Sequence, residues 1–149
     1  MNYWIISTFT YGENDFEFDK LSSYFSKKAW GIEAGKTDYP IKKGDKVLAY
    51  IGGKNAKIFI FVATIANERF YRMPKKFRNG KQYNPFTAGM EYYLKLKNIA
   101  LFKKPLSIYG ILNKISFIKS PIALGMAMSQ TMKKITKQQF DKILDEASK

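Results

Sequence analysis

The sequence predicts an α+β fold built on a twisted, mostly antiparallel, barrel-like sheet flanked by short helices. Three observations predict it. Two apolar runs in the middle of the chain, Lys46–Ile51 and Lys57–Ala66, are separated by a Gly-Gly-Lys-Asn turn, the pattern of a β-hairpin. The segment Glu91–Leu101 alternates Tyr92, Leu94 and Leu96 with Tyr93, Lys95 and Lys97, as a half-exposed strand does. Near the C-terminus, Thr136 and Gln139 precede Phe140, Ile143, Leu144 and Ala147, a capping box followed by an apolar stripe at helical spacing.

Taken in order, Tyr3–Thr8 is rich in aromatic and β-branched residues and reads as the first strand. Leu21, Tyr24 and Phe25 then stand at i, i+3 and i+4, which predicts a short helix entered at Asn14 or Asp15. Gly44-Asp45 marks a tight turn into the first hairpin strand, which Gly52-Gly53 closes. From Arg69 to Gly89 the chain is rich in Pro, Gly, Asn and Lys without periodicity, and reads as a long loop of the kind that is usually functional or disordered when it occurs in a compact domain. Pro105 fits the first turn of a short helix through Leu-Ser-Ile-Tyr-Gly-Ile-Leu-Asn. Lys114–Lys119 is either an extended segment or the continuation of that helix.

A chain of 149 residues that is 46% hydrophobic and 16% aromatic is expected to form one domain, residues 1–149, with a real core rather than a disordered basic tail. It contains no His and no Cys. Thiolate and imidazole metal sites, disulfides, Cys nucleophiles and imidazole general bases are therefore excluded. No cofactor is expected, and any catalysis would fall to carboxylates, Lys, Tyr or Ser. The N-terminus lacks a basic signal region. The longest apolar stretch, Ile58–Ile65, is much shorter than the ~20 residues that span a bilayer. The expectation is a soluble cytoplasmic protein that does not engage membranes.

Charge is unevenly distributed. The 26 Lys and Arg outnumber the 12 Asp and Glu to give a formal net charge of +14. Residues 1–66 carry 9 basic and 7 acidic groups, whereas residues 67–149 carry 17 and 5. A proteome biased towards Lys would add Lys everywhere, but it would not remove acids from one half. Such a field attracts polyanions and makes their binding salt-dependent. Within Arg69–Tyr83, Arg69, Arg72, Lys75, Lys76, Arg78 and Lys81 are interleaved with Phe70, Tyr71, Phe77 and Tyr83. That pattern suits a groove which tracks a phosphate backbone and stacks bases. The structural alternative is a solvated loop.

The order of motifs carries a resemblance. Tyr-Trp-Ile-Ile is followed by Ala-Trp-Gly-Ile, then Ile-Lys-Lys-Gly-Asp-Lys-Val-Leu-Ala-Tyr, an apolar strand and a basic loop ending Asn-Pro-Phe. An alternating strand, Lys-Pro-Leu, Ile-Ser-Phe-Ile-Lys, Gly-Met-Ala-Met and a final helix complete the series. Over nearly the whole chain this series resembles the EVE domain, a small PUA-like fold related to the YTH readers.

What the resemblance implies is a pocket that takes up a modified nucleobase from DNA or RNA, by binding rather than catalysis. It assigns Trp30, in the Ala-Trp-Gly position, to one wall of an aromatic cage, and Ser7 and Thr8, at the end of the first strand, to the pocket lining. The YTH pattern has an Asn near that strand end, where this chain offers Ser7, Thr8 and, further on, Asn14. Ser129, after Gly-Met-Ala-Met, and Tyr50 complete the candidate pocket. Each also has a structural reading, Trp30 and Tyr50 as core aromatics and Ser7 and Thr8 as strand-terminating residues. An aromatic pocket reads a flipped base by stacking, at ~1–3 kcal/mol per base.

The expected partner is thus nucleic acid carrying a modified base, with an associated nuclease or modification system as a further partner class. One rival is a pocket for a free modified nucleoside, which would bind without salt dependence. A second is a nucleic-acid-processing enzyme using Lys75 or Asp45.

Overall fold

The computed structural model describes residues 1–9, 28–32, 35, 37–52, 57–72, 91–116, 118, 128 and 131–149. Six strands, β1 (Tyr3–Phe9), β2 (Ala29–Ile32), β3 (Lys46–Gly52), β4 (Ile58–Arg72), β5 (Tyr92–Ser107) and β6 (Met132–Ile135), precede the helix α1 (Lys137–Ala147). They form one sheet in the order β2-β5-β4-β3-β1-β6. Four pairings are antiparallel, and β1 with β3 is the parallel one. The central pair β3–β4 is the hairpin expected from the sequence.

Alternation along the strands sorts the core into two layers. Trp4 and Ile6 of β1, Val47, Ala49 and Ile51 of β3, and Ala63 and Ile65 of β4 face one side. Ile5, Leu48, Tyr50 and Phe59 face the other, as a period of two dictates. The first layer also contains Trp30 and Ile32 from β2 and Met132 from β6, strands at opposite edges of the sheet. Residues on opposite edges share one core only if the sheet curls, so this layer is the inside of a half-barrel. Helix α1 covers the second layer with Phe140 and Ile143. There the Phe140 ring lies 5.0 Å from that of Tyr3.

The α1 capping box is formed as its sequence predicts. Thr136 Oγ1 accepts from Gln139 N at 3.1 Å, and Gln139 Oε1 accepts from Thr136 N at 3.0 Å. Replacing Thr136 by Ala is expected to cost about 1 kcal/mol of stability. Urea denaturation checks this, and a midpoint equal to the parent's would count against the cap.

The structure corrects several expectations. Arg69–Arg72 are not loop but the end of β4, because Phe70, Tyr71 and Arg72 pair with Leu94, Tyr93 and Tyr92 of β5. Cross-strand pairing decides that segment where local composition does not. Pro105 lies in β5 rather than in a first helical turn. Phe59 pairs with Leu106 and Phe61 with Leu101, so Phe102–Pro105 bulge opposite Ile60. A bulge asks no ladder hydrogen bond of a proline. Beyond it the chain makes two 3-10 turns, Ile108–Gly110 and Leu112–Lys114, instead of an α-helix. Ile115 and Ile118 then anchor in the second layer. The short strands β2 and β6 have no counterpart among the expected elements, since four residues are too few for periodicity to register. The helix expected around Leu21–Phe25, the hairpin turn at residues 53–56 and the remainder of the Arg69–Gly89 loop lie outside the described residues.

Candidate nucleic-acid interface

Strand β4 outruns β3, while β2 flanks β5 along Tyr92–Lys95. Lys46 and Thr64 form the last β3–β4 pair, and β4 continues for eight residues, to Arg72, against β5. On this ribbon the facing residues Tyr71 and Tyr93 stack, with centroids 5.5 Å apart and planes 23° from parallel. The Arg69 guanidinium lies 4.1 Å from the Tyr71 ring centroid and Lys95 Nζ lies 4.5 Å from it. Residues two apart on a strand share a face, as do residues diagonally opposite across a pair. That geometry brings Arg69 and Lys95 to the same tyrosine. Arg72 stands 6.0 Å from the Tyr92 ring and meets Glu91 Oε1 at 3.4 Å. Arg69 and Lys95 have no ion pair among the described residues. Cation–π contacts of this exposed kind contribute ~0.5–1 kcal/mol. Their larger effect is to hold two cations in place before any ligand arrives. A cavity of about 310 Å³ adjoins the cluster, lined by Thr37, Tyr39, Glu68, Arg69, Phe70 and Tyr92.

The candidate pocket residues distribute over both layers of the sheet. Trp30 is wholly buried in the inner layer, edge-on to Phe61 with centroids 5.7 Å apart. Thr8 follows Trp4 and Ile6 on the same face of β1, 8% exposed. Tyr50 belongs to the opposite layer, against Phe59 at 5.2 Å, and Ser7 is its partner in the β1–β3 register. The described structure therefore does not bring Trp30 and Tyr50 to one face. Because β1 and β3 are parallel, Ser7, Thr8, Tyr50 and Gly52 all lie towards one end of the sheet. There Ser7 N donates to Thr131 O at 2.9 Å, tying β1 to the residue before β6. Arg69 and Arg72 lie at the far end of β4. Ser129, Lys75, Lys76, Arg78 and Lys81 lie outside the described residues.

Burial, followed by the nearby phenol of Tyr109, pushes the Tyr50 pKa well above its ordinary value of 10.0. The folded protein thus holds a proton that the unfolded chain releases near pH 10. The stability tied to this proton is complete below pH 10 and is lost as pH rises towards the folded pKa, by up to about 1.4 kcal/mol per pH unit. Tyr50→Phe is expected to flatten the decline between pH 9 and 11 in urea titrations. Parallel curves for variant and parent would refute it.

Asp45 holds the start of β3. Its carboxylate accepts from Asn2 N at 2.9 Å, Trp4 Nε1 at 3.0 Å and Lys42 N at 3.0 Å, and the residue is 1% exposed. Both oxygens are committed to the fold, which removes the carboxylate that a catalytic reading would use. Among the described residues no three metal-ligating side chains cluster. None of their helices is long and apolar enough to cross a membrane.

Tyr71 was singled out in the sequence with the basic stretch, whereas Tyr92, Tyr93 and Lys95 were legible only as alternating strand. Strand alternation does place Tyr93 and Lys95 on one face, but nothing local announces that Tyr71 sits across from them.

A curled six-stranded half-barrel backed by a C-terminal helix, with one parallel pair, β1 with β3, beside the central hairpin, defines a PUA-like protein. The EVE domain family model matches residues 2–146, and the chain belongs to that family. Solved structures share the fold at low identity. Human THYN1, in complex with DNA containing 5-methylcytosine, is 14% identical with a TM-score of 0.60, covering 100% of this chain and 99% of that one. The YTH domain of Zygosaccharomyces rouxii MRB1, in complex with N6-methyladenosine RNA, is 10% identical at a TM-score of 0.58, covering 99% and 87%. The N-terminal domain of Staphylothermus marinus McrB is 15% identical at 0.58, covering 96% and 93%. A search of curated proteins found no match.

Proposed function

We propose that the chain is a nucleic-acid-binding reader that accommodates one modified nucleobase and acts by binding rather than catalysis. The observation that carries this reading is the preset cluster of Arg69, Tyr71, Lys95 and Tyr93 on the β4–β5 ribbon of a chain with net charge +14. Its support from similarity is that THYN1 and the MRB1 YTH domain, both of this fold, are bound to methylated DNA and RNA. Cations on the ribbon, with Arg72, Lys75, Lys76, Arg78 and Lys81, contact phosphates and supply most of the affinity. Trp30 and Thr8, facing the inner layer, form the base pocket with Ser129. Ser7 and Tyr50, turned to the other layer, set the strand ends behind it.

Fluorescence anisotropy tests the reading with matched DNA and RNA oligonucleotides, plain and base-modified, single- and double-stranded, at low and moderate salt. One modified oligonucleotide should bind more tightly than its plain counterpart, and that preference should persist as salt rises. Equal binding that disappears with salt would reduce the protein to a polyanion-binding surface. Reversing Arg69 and Arg72 to Glu is expected to weaken all oligonucleotides alike, and to lower the slope of log K against log salt by about 1–2. An unchanged slope would remove the ribbon from the interface.

A further inference from the structure

We propose that a second cavity, between β5 and the last turn of α1, is a binding site for a small ligand with an apolar body and one anionic group. The cavity measures about 400 Å³, within the range of small-molecule sites and far below the extent of a polymer groove. Val62, Leu101, Phe102, Leu144 and Ala147 give it an apolar floor, and Lys103, Lys104 and Lys149 line it with charge.

Its position follows from the bulge in β5. In a regular strand, adjacent residues point to opposite faces. Here Lys103 and Lys104 line the cavity from within the segment Phe102–Pro105, which bulges out of the ladder opposite Ile60. Bulges that re-aim side chains recur beside functional sites. Leu101, which pairs with Phe61 at the edge of the bulge in a sheet whose other large aliphatics are mostly buried, is 39% exposed at the cavity.

Charge complementarity selects the ligand. Lys103 and Lys104 have no ion pair among the described residues. Glu146, the neighbouring acid, is shared between Lys114 and Lys149, and these cations hold its carboxyl below the usual range. Among the described residues, Lys103 and Lys104 are therefore left as unpaired positive charge beside an apolar floor. A carboxylate, sulfonate or phosphate on a compact hydrocarbon body satisfies both. This site is separate from the base pocket and does not depend on it.

The test titrates the purified full chain with 8-anilinonaphthalene-1-sulfonate, and separately with N-phenyl-1-naphthylamine, which has the same aromatic body without the sulfonate. Saturable binding of the sulfonate is expected, with nitrogen–proton correlation shifts confined to Leu101–Lys104 and Leu144–Lys149 of an otherwise dispersed spectrum. The double variant Lys103→Gln with Lys104→Gln should weaken the sulfonate about fivefold, the effect of two exposed ion pairs, and leave the neutral probe unchanged. Ala147→Phe, which fills the cavity, should abolish both. Shifts elsewhere, or insensitivity to both variants, would overturn the proposal. Displacement of the probe by an oligonucleotide would assign the cavity to the nucleic-acid surface and overturn it equally.

Discussion

Replacing Asp45 by Ala is expected to destabilise the protein by about 3–5 kcal/mol, the cost of removing one partner from a buried charge-assisted network. Two backbone N–H groups, of Asn2 and Lys42, and the Trp4 indole N–H share this one carboxylate. Asp45 is 1% exposed, and its bond to the Trp4 indole is buried while those to Asn2 N and Lys42 N are part-buried, so the indole N–H has the most to lose when the side chain shrinks to a methyl group. The loss is structural in origin, because Asp45 fixes the N-terminus, the turn at Lys42–Gly44 and the start of β3 to one another. The turn itself needs Gly44, whose φ of +94° is strained for any other residue. Asp45→Asn keeps one acceptor oxygen and should lose roughly half as much. Urea denaturation followed by Trp fluorescence reports both variants. A loss below about 1 kcal/mol for Asp45→Ala would mean that the three donors find other partners.

Trp30→Ala is the second large effect, and it separates two roles of one side chain. Trp30 has no exposed surface and packs edge-on against Phe61, so truncation should cost about 3–5 kcal/mol through lost contacts and a cavity. On the proposed function the same variant, assayed at a temperature where it remains folded, should also lose its preference for the modified oligonucleotide while keeping salt-dependent binding. Trp30→Phe retains an aromatic face at lower cost in stability and should keep part of the preference. Loss of stability with preference intact in both variants would make Trp30 a core residue alone. Little loss of stability in Trp30→Ala would contradict the packing.

Much of the fold was legible because it depends on local pattern. Tyr3–Thr8, the two halves of the hairpin and Glu91–Leu101 carry strand periodicity within themselves. Thr136 and Gln139 announce α1 through a box that closes within four residues. The candidate site was less legible. Trp30, Thr8, Ser7 and Tyr50 were grouped by motif order, and a motif says nothing of the face on which a strand residue lands. Alternation within each strand separates Ser7 from Thr8. The pairing of β1 with β3 and the bulge between Ala49 and Tyr50 in the β3–β4 ladder then assign the layers.

By itself the sequence determined the type of this protein: an aromatic, strand-rich, strongly basic domain without His or Cys, in EVE order. These properties are carried by residue identities and by spacings of two to four residues, over which neighbouring side chains sense one another directly. Only the tertiary structure decided that Arg69–Arg72 continue β4, that Tyr71 meets Arg69, Lys95 and Tyr93, that Asp45 is a structural carboxylate, and that Lys103 and Lys104 share a cavity. Each of these joins segments far apart in the chain. The pairing energy that selects one register over another belongs to the assembled sheet and to neither strand alone.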